Sequence, residues 1–109
     1  SSSIKPKMGE MEFIYSLKHG QILKNIYTLE SSRGRNDSCK EQGKFNGFGY
    51  GQNSTVWNCF DTFEEVATKV NAWFTKRFNE GYTEAEAISY YNTGIRQMNS
   101  KYYQAYLAL

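Results

Sequence analysis

Three short stretches of this chain hold residues that could do chemistry. The first is "TLESSRG", residues 28–34, with Glu30 at its centre. Glu30 closes the run "QILKNIYTLE", in which Ile22, Leu23, Ile26, Tyr27 and Leu29 recur at helical spacing. Successive helix residues are about 100° apart, so Glu30 lies about 40° from Ile26 and about 20° from Leu23, on the apolar side. A carboxyl group set against apolar neighbours resists ionisation, because desolvation penalises the charged form. That is the protonation state a general acid needs near neutral pH. The plainer alternative is that Glu30 ends the stripe and pairs with Lys24, Arg33 or Arg35. Ser31 and Ser32 either orient the acid or only terminate its helix. The second stretch is "YYNTG", residues 90–94. Tyr91 follows Ala87 and Ile88 by one turn and so points inward, where its hydroxyl bonds either Glu30 or a backbone carbonyl. Asn92 either binds a ligand or caps its helix. The third is "NGFGYGQ", residues 46–52, where glycines let the backbone approach a ligand closely. On a strand, Phe48 and Tyr50 would turn both rings to one face, for stacking on a sugar or for the core.

These groups need elements to position them. "EMEFIYSLKHG" reads as a short helix ended by Gly20, and the stripe around Ile26 as a helix over about 20–32 with Gly34 as its stop. Residues 33–60 lose the helical period and hold five of the nine glycines, too long a stretch for an empty loop in a small domain. They are expected to form a functional loop or a small irregular sheet. A helix over about 62–79 follows, with Phe63, Val66, Ala67, Val70, Trp73, Phe74 and Phe78 on one face and Asp61 with Glu64 as its capping box. Trp73 is expected in the core, and Trp57 is free to line a groove. Thr83 and Glu86 repeat the capping signal for a helix ending at Gly94, and a last helix runs from Ser100. The expected architecture is α+β and mostly α, with four to five helices around an irregular β-lobe at about 34–60. Residues 1–9 read as a flexible arm or remnant, and residues 10–109 as one domain.

"LESSRG" resembles the segment that opens the active site of soluble lytic transglycosylases and goose-type lysozymes, where a helix ends in Glu-Ser-Ser or Glu-Ser-Gly. "YYNTG" resembles a second signature of that group, Tyr-Asn-Ala-Gly. The slot between them, Gly-Leu-Met-Gln in that group, is filled here by "NGFGYGQ", which is closer to the Asn-x-Phe-Gly-Ile segment of bacterial cell-wall glucosaminidases. The likeness covers roughly residues 20–109. It implies a lysozyme-like fold, with Glu30 as catalytic acid/base, Tyr91 holding the acid's geometry, and Ser31, Ser32, Phe48, Tyr50, Gln52 and Asn92 facing substrate. Leu-Met-Gln is replaced, so Gln52 stands two positions beyond Tyr50. The implied reaction is cleavage of peptidoglycan at the β-1,4 bond from N-acetylmuramic acid to N-acetylglucosamine. One carboxyl group suffices for the transglycosylase route, in which the sugar's own N-acetyl group assists. A hydrolase of the usual kind needs a second carboxylate about 5–9.5 Å away. Asp37, Glu41 and Asp61 are the candidates; Asp61 is better explained as a cap, and the other two as solvated. The alternatives are a lysozyme- or glucosaminidase-type hydrolase of the same polymer, or a non-catalytic scaffold that binds glycan or protein.

Composition narrows the remaining classes. At 109 residues the chain has room for a single core. A net charge of +2 is too small to argue for nucleic acid, and no apolar run approaches a membrane span. Neither a cofactor nor a metal is expected, since Cys39 and Cys59 with a lone His19 do not make the usual zinc site. His19 is expected to be exposed. The cysteines are either two free thiols of a cytosolic protein or a bridge in an exported one, and the wall-cleaving reading favours the bridge. The same reading implies a periplasmic or extracellular site of action, with peptidoglycan strands as partner and a larger envelope or phage protein as parent.

Overall fold

The computed structural model describes residues 9–51 and 58–109. Most of the expected arm lies outside the described residues, as do Gln52 and Trp57. Among the described residues five α-helices carry the fold: α1 (Glu10–Ser16), α2 (Gly20–Ser31), α3 (Phe63–Asn79), α4 (Glu84–Thr93) and α5 (Lys101–Leu107). Helix α2 packs against α1, α3 and α5, while α3 also packs against α1 and α4. The apolar stripe read from the sequence is the reason. Leu23 and Ile26 of α2, Val66, Val70 and Phe74 of α3, and Ile88 of α4 are all fully buried in one core.

The starts of α3, α4 and α5 follow capping residues, with one displacement. Thr83 and Glu86 form the full reciprocal box on α4: the Glu86 N–H donates to Thr83 Oγ1 (3.2 Å) and the Thr83 N–H to Glu86 Oε1 (3.0 Å). Ser100 caps α5 by accepting from the Tyr103 N–H at 3.0 Å. On α3 the cap is Thr62, whose Oγ1 accepts from the Glu65 N–H at 3.1 Å. The cap expected at Asp61 therefore lies one residue on, as a single bond and not as the Asp61–Glu64 box. A shorter hydroxyl takes the role, and Asp61 stays exposed, 3.6 Å from Lys44 Nζ.

Gly20 does not end α1, which stops at Ser16; it is the first residue of α2. A Cβ at this position would run into the Ile14 carbonyl oxygen and sit 3.0 Å from Tyr15 Cα, so the glycine serves the close approach of the two helices. His19, at the same corner, is not free. Its N–H donates to Asn71 Oδ1 (2.9 Å), its Nε2 is 3.0 Å from Thr75 Oγ1, and its ring meets Phe78 edge-on. Burial and the neighbouring Lys18 hold its pKa below the usual histidine range.

The insertion after α2 contains no strand among its described residues. It has a 3₁₀ turn at Ser38–Gln42 and a single antiparallel bridge, Phe45 to Phe60. Side chains replace the missing ladder. Asp37 is buried and accepts from the N–H groups of Cys39 (3.1 Å) and Asn46 (2.9 Å). Buried Asn46 closes the next turn: its Nδ2 donates to the carbonyls of Tyr50 and Asn58, and its Oδ1 accepts from the Tyr50 N–H, each at 2.9 Å. A Cys39–Cys59 disulfide ties the two ends of the segment. Backbone groups that a sheet would pair are thus satisfied locally, as buried polar groups require.

Candidate active site

Glu30 is the penultimate residue of α2. The helix ends because Ser32 and Arg33 both adopt left-handed backbone, at φ 50° and φ 59°. The Ser32 N–H donates to the Thr28 carbonyl and the Arg33 N–H to the Tyr27 carbonyl. This turn leaves the Glu30 side chain half-buried at the edge of the core. Burial is the largest influence on its carboxyl group and raises the pKa above the usual glutamate range. One hydrogen bond opposes that rise: the Tyr102 hydroxyl, from α5, donates to Glu30 Oε2 at 3.3 Å.

The insertion supplies the facing wall. Gly49, at φ +63°, lies so close to the acid that a Cβ there would stand 2.5 Å from Glu30 Oε1 and 3.2 Å from its Cδ. Only a residue without a side chain leaves the carboxyl group in place. Phe48, immediately before, is fully buried and stacks on Tyr27 with ring centroids 4.8 Å apart. Its ring belongs to the core and does not face the site, so the expected substrate contact is corrected. The positive φ at Gly49 breaks the period of two, and Phe48 and Tyr50 therefore diverge: Tyr50 lies near the Phe60 ring and lines an open groove. Phe48 contributes its carbonyl oxygen, which accepts from the Tyr91 hydroxyl at 2.6 Å.

Tyr91 thus bonds a backbone carbonyl and not Glu30; the acid's tyrosine is Tyr102. Tyr91 still belongs to the same site. Its hydroxyl is raised well above the usual tyrosine range, first by burial and then by Tyr102, Glu30 and Tyr50. A cavity of about 210 Å³ opens on Glu30, with Ser31, Asp37, Asn46, Tyr91 and Asn92 among its lining residues. Asn92 is exposed at this cavity, and it does not cap α4, a task that falls to Gly94 at φ +73°. Ser31 is buried, donates to the Tyr27 carbonyl (3.2 Å) and accepts from the Gly34 N–H (2.9 Å), which fixes the turn below the acid. Ser32 is exposed and lines a different depression with Thr28, Arg33 and Arg35.

Compared with family models, with curated proteins and with solved structures, the chain matches none. What the site can do rests on its own geometry.

Of the three carboxylates weighed as partners for Glu30, Glu41 and Asp61 are exposed. Asp37 is not solvated as expected; it lines the same cavity as Glu30, with its oxygens engaged by two backbone N–H groups. Trp73 also departs from expectation. It packs on Phe74 and Tyr91 but is only half-buried and also lines a second cavity of about 300 Å³, with Gly49, Tyr50, Gly51, Tyr90 and Tyr91. Sequence reading missed Tyr102, Asn46 and the structural role of Asp37. Tyr102 lies 72 residues from Glu30, and nothing in "KYYQAYLAL" distinguishes it from Tyr103 or Tyr106. Asn46 had a readable signal, an Asn-Gly pair inside a glycine-rich run. Among the described residues no three His, Cys, Asp or Glu side chains gather as metal ligands do.

Proposed function

We propose that this chain is a peptidoglycan lytic transglycosylase whose helices adopt the lysozyme-like arrangement around the Glu30 cleft. The observation that carries the reading is the half-buried Glu30 carboxyl group, its pKa raised by burial, opening into a cavity that Tyr91 and Asn92 also line. Protonated, Glu30 gives its proton to the glycosidic oxygen as the bond from that oxygen to the anomeric carbon breaks. The sugar's N-acetyl oxygen bonds the anomeric carbon as the leaving chain departs. The C6 hydroxyl oxygen then attacks the same carbon, displacing the N-acetyl oxygen, and its proton returns to Glu30. The product is a 1,6-anhydro end, and the acid is regenerated. Tyr102, which donates to Glu30 Oε2, holds the carboxylate when it forms. Tyr91 acts indirectly: it pins the Phe48 carbonyl and so holds Gly49 against the acid.

One observation favours a second reading, hydrolysis of the same bond: Asp37 shares the cavity with Glu30. Its two backbone N–H bonds assign it to holding the insertion together, and we place the single-carboxyl route first. The disulfide suits an envelope or extracellular setting. The test is release of soluble fragments from purified peptidoglycan. Glu30→Gln should remove it while leaving thermal unfolding in place; retained lysis refutes the assignment, and retained wall binding without cleavage by the wild type supports a scaffold. The mass of the fragments separates the two enzyme readings, because an anhydro end is lighter than a reducing end by one water.

A further inference from the structure

The cleft does not stop at the acid. The cavity on Glu30 shares Gly49 and Tyr91 with the aromatic cavity, which in turn shares Tyr50 and Trp73 with a third, of about 450 Å³. The third is lined otherwise by Lys69, Ala72, Lys76 and Arg77 of α3. These fall at helical spacing, so α3 turns its core face inward and a cationic strip outward beside the groove. Arg77 is anchored: its guanidinium lies 4.9 Å from the Trp73 ring centroid and 5.4 Å from that of Tyr90, and it pairs with Glu80 at 2.6 Å. Lys69 and Lys76 are exposed, and neither pairs with a carboxylate among the described residues. The run is therefore acid, aromatic floor, then uncommitted positive charge.

We propose that Lys69 and Lys76 form a subsite for an anionic substituent carried by the sugar strand in the cleft. The inference rests on the glycan reading of the site and adds what the strand must bear. A neutral strand gives two lysine ammonium groups nothing to pair with, whereas carboxylates of stem peptides, or phosphates of a wall-linked polymer, do. Tyr50 and Trp73 line both cavities, so aromatic surface continues up to the edge of this strip.

The test is cosedimentation with purified walls in the Glu30→Gln background, so that nothing is digested during the measurement. Lys69→Gln/Lys76→Gln should bind walls about fivefold more weakly at low salt, and Lys69→Glu/Lys76→Glu more weakly still. High salt should bring the parent down to the glutamine variant. A neutral N-acetylglucosamine oligomer should be held equally by all three. Equal wall binding by all three at low salt overturns the proposal, as does an equal loss on the neutral oligomer. Walls stripped of peptide by an amidase and walls stripped of phosphodiester polymer by hydrofluoric acid identify the substituent, since only the treatment that removes it lowers parent affinity. Affinity unchanged by either treatment also overturns the subsite. Absence of soluble product from the wild type would instead remove the transglycosylase reading, and the binding comparison would stand.

Discussion

Gly49 and Gly43 make a matched pair for testing how closely the insertion must approach the acid. Both hold left-handed backbone, at φ +63° and φ +70°. An alanine in that region is destabilised by about 1–2 kcal/mol, partly offset by the lower entropy of the unfolded chain. Each alanine variant should therefore lose about 1 kcal/mol, a fall of about 4–8 °C in Tm for a domain near this size. The surroundings then separate them. A Cβ on Gly43 meets nothing within 4 Å, whereas one on Gly49 falls 2.5 Å from Glu30 Oε1. Ordinary contact needs about 3.5 Å, so the carboxyl group must retreat by about 1 Å. A flexible side chain moves at little further loss of stability, but a shift of that size at a reacting group lowers a rate by about 100-fold. Calorimetry should thus find the two variants alike, while fragment release from peptidoglycan should be near wild type for Gly43→Ala and about 100-fold slower for Gly49→Ala. Equal rates would refute the reasoning, because they would mean that the Glu30 position set by Gly49 is irrelevant to turnover.

Tyr102→Phe removes the one donor among the described residues that favours ionised Glu30, about 1 kcal/mol for a bond as long as 3.3 Å. A general acid works protonated, so activity falls as pH rises through its pKa; losing the donor raises that pKa further and should move the alkaline limb of the rate profile to higher pH. A limb that stays put or moves down would count against Tyr102 as the acid's partner. The Cys39–Cys59 bridge spans a separation of 20 residues, and Cys39→Ser/Cys59→Ser should lower stability by about 3 kcal/mol, read by urea unfolding. Phe48→Ala should lose about 3–5 kcal/mol as a truncated core residue, whereas Tyr50→Ala, which removes a half-buried ring at the core's edge, should lose clearly less and weaken oligosaccharide binding. The reverse pattern would return Phe48 to the ligand.

The helical frame was legible because its signals are local. The stripe from Ile22 to Tyr27 and that from Phe63 to Phe74, half-buried Trp73 excepted, bury the residues that periodicity assigns to them, and Thr83 with Glu86 marks a helix start within four residues. Glu30 was legible for the same reason, since its angle to Leu23 and Ile26 already places it on the apolar side. The insertion was not. A strand reading of "NGFGYG" assumes a period of two, which Gly49 breaks with its positive φ, sending Phe48 into the core and Tyr50 to the groove. Asp37 and Asn46 hold this segment through bonds to its backbone, a mode with no sequence period. Gly20 and Asp61 show the limit of local rules: a glycine that looks like a stop was required by the approach of Ile14, and a hydroxyl one position on displaced the expected cap. Tyr102 depends on the docking of α5 against α2, a long-range contact that no short window contains.

The most direct measurement is a titration of the Glu30 side-chain carboxyl carbon by NMR in the intact chain, with Glu30→Gln to assign the resonance. A midpoint clearly above the ordinary glutamate value of about 4.3 is the expected result, because burial outweighs the Tyr102 hydrogen bond. A midpoint at or below that value would mean the carboxyl group is ionised and solvated at working pH, and the site would lose its acid.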